Sequence, residues 1–301
     1  MKILNFGSLN IDYVYQVEHF VQAGETISST RRETFPGGKG LNQSVALSRS
    51  GSDVYHAGGI GKYDGQFLKE LLRDSNVNTD FVQEMDCPTG HAIIQVNSKG
   101  NNCILLFGGA NVQLDKLYID EVFKNFDEGD YLVLQNEVNN LDYIVKSAHK
   151  KKMVIFLNPS PFNSVITDLN LDMVDCFLLN EIEAQSMCGI ETDDIDELME
   201  DLKRKFPKAK FVLTLGKDGV CYFDDKNMYR HGIYDVEVVD TTAAGDTFSG
   251  YFISSISKNL CVEESLKIAS IASSMAVSKS GAAVSIPLLK EVENSNLRLI
   301  K

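Results

Sequence analysis

The sequence has no closely paired cysteines. Its six cysteines are spread along the chain without a C-x-x-C pair. They are Cys87, Cys103, Cys176, Cys188, Cys221 and Cys261. A disulfide framework is typical of small secreted domains, and a zinc site uses close pairs, so neither is expected. We predict buried free thiols in a reducing cytoplasm.

Long apolar runs are also missing. The run from Met153 to Leu157 is characteristic of the chain, and it falls far short of the ~18 residues of a membrane-spanning helix. The first residues, 1–7, contain no long apolar region, so no signal peptide is expected. These patterns predict a soluble, cytoplasmic protein without a membrane partner.

Basic residues are outnumbered. There are 29 Lys and Arg against 42 Asp and Glu, which gives a net charge of −13. A general nucleic-acid surface needs clustered Lys and Arg, so no nucleic-acid partner is expected. An anionic ligand remains compatible with this charge, because backbone amides can bind phosphate locally.

No linker rich in Pro, Ser or Gly divides the 301 residues, and no repeat is visible. We therefore predict a single domain over residues 1–301. Short apolar runs alternate with amphipathic stretches, which predicts a parallel sheet covered by helices on both faces, an α/β fold. The predicted strands are 131–134, 153–157, 177–179 and 211–213, with helices over 141–148 and 195–206 between them.

Two regions depart from this alternation. Residues 25–35 look extended but polar, and residues 91–107 contain two strand-like segments around Ser98–Asn101, a hairpin signal. A small projecting sheet of antiparallel strands is expected within about 12–35 and 89–108. It would cover a site, pair with a second subunit, or be a decorated sheet edge without a role.

Several common motifs are absent. Glu33 and Gly40 break a P-loop around Gly38-Lys39, and Asp64 and Gln43 stand where dinucleotide fingerprints need a third glycine. Thr247 replaces the leading glycine of a nucleophile elbow at Ser249. None of the five histidines has the H-E-x-x-H spacing of a zinc site.

The strongest motif is the segment 240–248, D-T-T-A-A-G-D-T-F. It follows a predicted strand at 236–239 and precedes a helix-periodic run. The free amides at the start of such a helix form an anion hole, here those of Ala243, Ala244 and Gly245. Asp246 at its mouth could accept the proton of an attacking hydroxyl. The alternative is that Asp246 only caps the helix.

Two further motifs carry polar groups. The segment 36–43, P-G-G-K-G-L-N-Q, leads into an apolar run, and Lys39 and Asn42 would share one face of a helix. Asn10 and Asp12 follow the first strand and point to the same side of an extended chain. Amides and carboxylates at strand ends are suited to gripping the hydroxyls of a polyol.

With these motifs in this order, the sequence resembles the ribokinase-like (PfkB-type) carbohydrate kinases from about residue 3 to residue 287. The shared motifs are Asn10-x-Asp12, Gly37-Gly38-Lys39-Gly40-x-Asn42-Gln43, Asn180-Glu181-Ile182-Glu183, Thr214-Leu215-Gly216-Lys217-Asp218-Gly219 and Ala243-Ala244-Gly245-Asp246. The resemblance implies a three-layer α/β/α domain with a mostly parallel sheet and a small β-sheet lid. It also implies ATP as co-substrate, Mg²⁺, K⁺ and a homodimer formed through the lid.

The resemblance further implies a role for each matching residue. The sugar would be held by Asn10, Asp12, Gly38, Lys39, Gly40, Asn42, Glu137 and Asp246. ATP would be bound by Asn180, Glu183, Thr214, Leu215, Gly216, Lys217, Asp218, Gly219, Gly245 and Ser270, with Asn180 and Glu183 ordering magnesium and its waters. Potassium would be enclosed by Asp240, Thr242, Ala276, Lys279, Gly281 and Ser285, unless the Lys279 amine itself supplies that charge.

The implied activity is phosphorylation of a sugar's primary hydroxyl by ATP, with D-ribose as the leading acceptor and D-ribose 5-phosphate as the product. Asp246 would be the general base. Two alternatives stay open. One is another kinase of the same family, acting on fructose, a sugar acid or a nucleoside. The other is a non-catalytic sugar-binding regulatory protein with the same fold.

Overall fold

The computed structural model describes residues 1–300, with thirteen strands in two sheets. The strands are β1 (Ile3–Phe6), β2 (Asn10–Gln16), β3 (Arg31–Gly37), β4 (Val54–Gly61), β5 (Asn78–Met85), β6 (Gly90–Val96), β7 (Asn102–Phe107), β8 (Tyr131–Gln135), β9 (Val154–Asn158), β10 (Cys176–Asn180), β11 (Lys210–Thr214), β12 (Val220–Phe223) and β13 (Met228–His231). The nine-stranded sheet has the order β13-β12-β11-β10-β9-β8-β1-β4-β5. Its neighbours from β11 to β5 are parallel, and β12 and β13 add an antiparallel edge.

Helices cover both faces of this sheet. They are α1 (Lys39–Arg49), α2 (Gln66–Asp74), α3 (Lys116–Phe123), α4 (Leu141–Lys150), α5 (Ser164–Thr167), α6 (Glu181–Cys188), α7 (Ile195–Lys205), α8 (Ala244–Ser257), α9 (Val262–Val277), α10 (Ala282–Ser285) and α11 (Leu289–Glu293). One buried core joins the sheet to α3, α4, α6 and α7, and a second joins it to α1, α2, α8 and α9. The three-layer α/β/α prediction is confirmed.

Alternate residues of the inner strands serve the two cores. In β10, Phe177 and Leu179 pack in the core with α6 and α7, whereas Cys176 and Leu178 pack in the core with α8 and α9. Successive side chains of a strand point to opposite faces, and this strand is buried on both. The continuous apolar runs of the sequence therefore correspond to strands enclosed between two helical layers.

The second sheet has four strands in the order β3-β2-β6-β7. The predicted hairpin around Ser98–Asn101 is the antiparallel pair β6–β7. The pair β2–β3 is also antiparallel, but β2 and β6 run parallel, so the sheet is mixed. We call these four strands the lid. Every residue of its edge strand β7 is exposed.

Residues 236–239, predicted as a strand, form none. The backbone amides of Val239 and Asp240 donate instead to the carbonyl of Val277 at the end of α9, at 2.8 and 3.1 Å. Val238 and Val239 are 62% and 57% exposed. The β-branched residues favour an extended chain, but no neighbouring strand pairs with it, so the prediction is wrong.

All six cysteines are free, as predicted, but only part of the expected burial holds. Cys176, Cys188 and Cys221 are buried, whereas Cys103 on β7 and Cys261 before α9 are exposed. Within residues 1–300 no helix has the length and apolar character needed to cross a bilayer.

Candidate active site

The motifs meet at the carboxyl edge of the nine-stranded sheet, the usual ligand-binding edge of parallel α/β sheets. The loop after β1 contacts both the start of α1 and the segment after β8. The Ser8 hydroxyl donates to the Glu137 carboxylate, and the Gly40 amide donates to Ser8 Oγ at 3.2 Å. The loop after β1 and the glycine-rich segment 36–43 are thus joined, and Glu137 accepts hydrogen bonds from both.

Helix α8 begins directly after the residue predicted to open the anion hole. Ala243 is its N-cap, in a left-handed conformation with φ 60° and ψ 12°. The Ala244 amide donates to the Thr241 carbonyl at 3.2 Å, so it is not free. The next two amides, of Gly245 and Asp246, have no intrahelical acceptor, as is usual in a first turn. These two are available for an anion.

Asp246 lies in the first turn of α8, so the alternative that it is the N-cap is wrong. Its carboxylate is held from α1. Oδ2 accepts from Asn42 Nδ2 at 3.0 Å, and Oδ1 accepts from Gln43 Nε2 at 2.9 Å. Each oxygen keeps further acceptor capacity, because a carboxylate oxygen has about two lone pairs. The group is therefore oriented and still able to accept a proton.

Lys39 is the cation of the site. Burial acts to lower its pKa, but the carboxylates of Asp246, Glu137, Glu183 and Asp12 together raise it above its usual value. An amine in this setting stays protonated across the physiological range. Lys39 therefore contributes a positive charge that interacts with the carboxylates of both Asp12 and Glu137 and with those of Asp246 and Glu183.

Asp12 and Glu137 form a carboxylate pair. Glu137 Oε2 accepts from the backbone amide of Lys39 at 3.0 Å. Burial, reinforced by the charge of Glu137 and opposed by Lys39, raises the pKa of Asp12 to about 7. Among the described residues, the Asp12 carboxylate has no hydrogen-bond donor. Its acceptors are consequently left for a ligand.

Asn10 is positioned by a residue that sequence reasoning missed. Asn111 Nδ2 donates to Asn10 Oδ1 at 2.7 Å, and its own Oδ1 accepts from the Leu9 amide at 3.0 Å. The buried Asn111 side chain belongs to the turn that follows β7, and from there it fixes the start of β2. Nothing in its local sequence, G-A-N-V, distinguishes it from an ordinary turn.

The glycines of the second motif permit backbone contact. A Cβ on Gly40 would lie 2.3 Å from Ser8 N, and Gly38 has φ +93°. Side chains at these two positions would force the loop after β1 away from α1. The motif thus serves first to bring Lys39 and Asn42 against that loop.

Two cavities flank these groups. The first has a volume of about 180 Å³ and is lined in part by Lys39, Asn158, Ser160, Asn180, Glu183, Thr214, Gly245 and Asp246. The second has a volume of about 420 Å³ and is lined in part by Asn10, Leu106, Phe107, Asn111 and Glu137. The Lys39–Glu137 contact connects them. Asn158 and Ser160 were missed, although Asn158 ends strand β9 as Asn180 ends β10.

Asn180 and Glu183 form a reciprocal cap at the start of α6. Asn180 Oδ1 accepts from the Glu183 amide at 2.8 Å, and Glu183 Oε2 accepts from the Asn180 amide at 3.0 Å. Such a capping box stabilises the helix start. Because both side chains line the first cavity, Glu183 Oε1 and Asn180 Nδ2 remain for a ligand there.

The segment after β11 makes a tight turn. The Leu215 amide donates to the Gly219 carbonyl at 2.8 Å, and Gly216–Asp218 form one 3-10 turn that includes Lys217. Of this segment, Thr214 lines the first cavity. Ser270 is buried within α9. The contacts of this turn and of Ser270 with a nucleotide stay predictions.

Asp240 joins the two segments predicted to enclose potassium. Its carboxylate accepts from the Thr242 amide at 2.9 Å and from the Gly281 amide at 3.0 Å. Burial opposes its ionisation, but the hydrogen bonds from Thr242 and Gly281 outweigh it and lower the pKa of Asp240. The Lys279 amine lies 3.7 Å from Glu291 Oε1, so it is drawn toward that residue.

The remaining positions of that set are Ala276, buried in α9, and Ser285, whose hydroxyl donates to the Ala282 carbonyl at 2.9 Å. Across residues 1–300, no group of three or more His, Cys, Asp or Glu side chains could hold a metal ion. A cation at this place would therefore be coordinated largely by carbonyl oxygens.

Known proteins share this architecture. A sequence profile described as pfkB family carbohydrate kinase matches residues 1–289. The ribokinase of Staphylococcus aureus (strain COL) is 34% identical, with 97% of this chain and 98% of that protein covered. The Arabidopsis thaliana ribokinase complexed with ribose and ATP superposes with a TM-score of 0.85 at 28% identity, and the Thermotoga maritima ribokinase with 0.85 at 30%, each covering 97% of both chains. With its motifs gathered around Asp246, the chain belongs to the pfkB family of carbohydrate kinases.

Proposed function

We propose that this protein is an ATP-dependent ribokinase, which transfers the γ-phosphoryl group of ATP to the 5-hydroxyl of D-ribose. The observation that carries the proposal is the position of Asp246. Its carboxylate lies at the N-terminus of α8, lines the first cavity and is bonded to Asn42 beside the sugar-facing groups. The similarity to ribokinases, one of them complexed with ribose and ATP, supports this choice of substrates.

The sugar would occupy the side of the site that contains the Asp12–Glu137 pair. Asp12 has unengaged acceptors, and Asn42 Oδ1 is buried without a partner among the described residues. Leaving such a buried acceptor unpaired costs about 1–3 kcal/mol. A sugar hydroxyl would satisfy it next to the Asp246 carboxylate, to which the other end of the Asn42 amide is bonded.

In the transfer, Asp246 accepts the proton of the 5-hydroxyl as that oxygen bonds to the γ-phosphorus. The bond from phosphorus to the bridging oxygen breaks, and ADP leaves with that electron pair. The amides of Gly245 and Asp246, with the Lys39 amine, face the negative charge that spreads over the phosphoryl oxygens. Positioning and charge stabilisation of this kind account for most of the catalysis of phosphoryl transfer.

Magnesium fits the nucleotide side of the site. Asn180 and Glu183 line the first cavity, and oxygen ligands supplemented by waters are what Mg²⁺ prefers. When bound, Mg²⁺ neutralises charge on the β- and γ-phosphates. The residues of this chain would orient its waters.

Potassium is the second proposed ion. Asp240 brings the segments 240–242 and 276–285 together directly before α8. A monovalent cation there would stay out of contact with the substrates and act by holding the conformation of residues 243–245. The Lys279 amine, drawn to Glu291, does not need to replace it.

We further propose a cytoplasmic homodimer formed through the lid. Strand β7 exposes Ile104, Leu105, Leu106 and Phe107, each 50% or more accessible. A long, exposed apolar edge strand readily pairs with another chain unless it is covered. A second lid would bury these side chains and close the larger cavity, which Leu106 and Phe107 line.

The direct test is a coupled assay of ADP release with D-ribose, 2-deoxy-D-ribose, fructose, a sugar acid and a nucleoside. We expect the highest kcat/KM for D-ribose and the product D-ribose 5-phosphate. A higher kcat/KM for another acceptor would identify a different kinase of the family. Ribose binding without ATP consumption would identify a binding protein.

A further inference from the structure

A line of polar side chains runs from Asp246 into the interior of the nine-stranded sheet. Gln43 and Ser44 belong to α1, Gln135 to β8, Asn5 to β1 and His56 to β4, and each is at most 1% exposed. Along β1, the residues on either side of Asn5, Leu4 and Phe6, are buried and apolar. Burying polar groups without partners is costly, so such a line is retained where its hydrogen bonds have a use.

The hydrogen bonds of this line are continuous. Asn5 Nδ2 donates to the Gly40 carbonyl and to Ser44 Oγ, each at 2.8 Å, and Ser44 Oγ lies 2.8 Å from His56 Nδ1. Gln135 Nε2 donates to Asn5 Oδ1 at 3.1 Å and to Gln43 Oε1 at 2.6 Å. Gln43 Nε2 then donates to Asp246 Oδ1 at 2.9 Å. We call Asn5, Gln135 and Gln43 the amide chain.

The amide chain has a fixed direction. The Gly40 carbonyl only accepts, so Asn5 must turn its Nδ2 toward it and its Oδ1 toward Gln135. Gln135 must then present Nε2, which places Gln43 Oε1 against it and Gln43 Nε2 against Asp246. A flip of Gln135 would set its oxygen against two other oxygens. Gln135 Oε1 instead lies without a partner among the described residues.

The charged groups around Asp246 are few. Lys39 of α1 interacts with Asp246, and Lys39 is in turn faced by Glu183 of α6, Glu137 after β8 and Asp12 of β2. His56 at the far end of the line is neutral, because burial lowers its pKa to about 4. The amide chain itself carries no charge, so it acts on Asp246 by orientation and hydrogen bonding alone.

We propose that Gln43 is a positioning residue for phosphoryl transfer, held in one orientation by Gln135 and Asn5 so that it fixes the orientation of the Asp246 carboxylate. With Asn42 on Oδ2 and Gln43 on Oδ1, the two hydrogen bonds restrain rotation of the carboxylate about its Cβ–Cγ bond. This inference rests on the proposed function, in which Asp246 is the general base.

The experiment compares Gln43→Leu, Gln135→Leu, the double variant and Gln185→Leu. Gln185 of α6, whose side-chain amide donates to the Thr192 carbonyl, is a matched control outside the site. Because small misplacements of a reacting group can cost up to about 10²-fold in rate, we expect kcat of Gln43→Leu to fall about 10- to 100-fold. The KM values should change little.

Gln135→Leu should also lower kcat and leave the KM values nearly unchanged, although Gln135 touches neither Asp246 nor a substrate. The double variant should lose no more than Gln43→Leu alone, because both act through one hydrogen bond. Gln43→Asn, which keeps a polar group but is too short to reach both partners, replaces Gln43→Leu if that variant does not fold. Wild-type kcat in a folded variant at position 43, or multiplicative losses in the double variant, would overturn the proposal. If Asp246→Asn also kept full activity, the general-base role on which this inference rests would fail, whereas a wild-type protein that does not phosphorylate ribose would overturn the proposed function.

Discussion

Asn42 donates its side-chain amide to Asp246 Oδ2 over 3.0 Å, although the two residues are 204 positions apart in the sequence. The contact joins the start of the glycine-rich helix α1 to the start of α8. Asn42 therefore links a buried acceptor without a partner among the described residues, its own Oδ1, to the carboxylate proposed as the general base. A hydroxyl bound at one end of this amide would lie near the base held at the other.

Asp246→Asn should fold normally and lose most turnover, because an amide keeps the shape of the carboxylate but cannot accept the proton. The expected fall in kcat is ~10²–10⁴-fold, the scale of general-base catalysis. Steady-state kinetics and thermal denaturation measure the two effects separately. Asp225→Asn, at an exposed turn, is the matched control. Wild-type kcat in Asp246→Asn would contradict the mechanism.

Asp12 should make sugar binding depend on pH. With its pKa raised to about 7, Asp12 gains its charge near neutrality, and the ionised form is the stronger acceptor for hydroxyls. The KM for ribose should therefore fall as the pH rises from about 6 to about 8. Asp12→Asn should remove this dependence and raise that KM, at a cost of about 1.5–3 kcal/mol.

The raised pKa of Asp12 also determines the direction in which the free energy of unfolding changes with pH. The ordinary pKa is 3.8, so between that value and about 7 the folded state holds more protons than the unfolded state. The free energy of unfolding then falls as the pH rises through this window. Asp12→Asn should consequently gain more in Tm over the wild type at pH ~8 than at pH ~5. For ligand binding, calorimetry of Asp12→Asn provides the control. A loss of ATP affinity as large as the loss of ribose affinity would argue against Asp12 as a sugar ligand.

Substitution of Gly40 and of Gly245 by alanine should have different effects on stability and turnover. A Cβ on Gly40 would meet the Ser8 and Gly7 backbone at 2.3 and 2.5 Å, whereas a Cβ on Gly245 would meet no heavy atom within 4 Å. Gly40→Ala should lower stability by several kcal/mol, because backbone must shift. Gly245→Ala should keep its Tm and lose turnover, since its methyl group enters the space of the phosphoryl oxygens. Equal melting temperatures would show that the loop after β1 yields easily.

Potassium should raise kcat as well as lower KM. Its proposed place beside Asp240 can influence the reaction only through the conformation of residues 243–245, on which charge stabilisation depends. Activity measured in KCl, NaCl and tetramethylammonium chloride at constant ionic strength should be highest in KCl. Lys279→Met should keep this preference. Identical rates in the three salts would remove the cation from the mechanism and leave the kinase proposal intact.

The lid should carry the subunit interface. We expect the wild type to sediment as a dimer and Leu105→Glu to sediment as a monomer, because a charge would be buried in the apolar contact. Leu117→Glu on α3 is a control at a leucine of similar exposure, 77% against 67%. A wild-type monomer at micromolar concentration, or a dimeric Leu105→Glu, would place any interface elsewhere.

Much of this architecture could be predicted from local pattern. Short apolar runs that alternate with segments of helical periodicity correctly predicted the strands β8 to β11. Such runs are typical of a parallel sheet, because its strands are buried on both faces. The segment 236–239 has the same β-branched character but lacks a neighbouring strand. Whether a neighbouring strand is present cannot be determined from the local composition of the segment. The two outcomes differ in tertiary context alone.

The site was predictable where a motif has unusual composition. Consecutive glycines before Lys39 and a Gly-Asp pair at a helix start are rare enough to be noticed. Asn111 and Gln135 are single amides in turns and strands, and their roles depend on partners about 100 residues away. Ala243 to Gly245 were foreseen as amide donors, but the turn that engages the Ala244 amide depends on the geometry of Thr241.

Strand β10 serves two cores with alternate residues, and this constrains how the chain can change length. One residue inserted within β10 would turn Phe177 and Leu179 toward the layer of α8 and α9, and would send Cys176 or Leu178 the other way. It would also shift Asn180, and with it the α6 cap that faces the first cavity. We therefore expect insertions and deletions to be tolerated in the connections on the opposite edge of the sheet and at the hairpin tips, and not within the strands that end at the site.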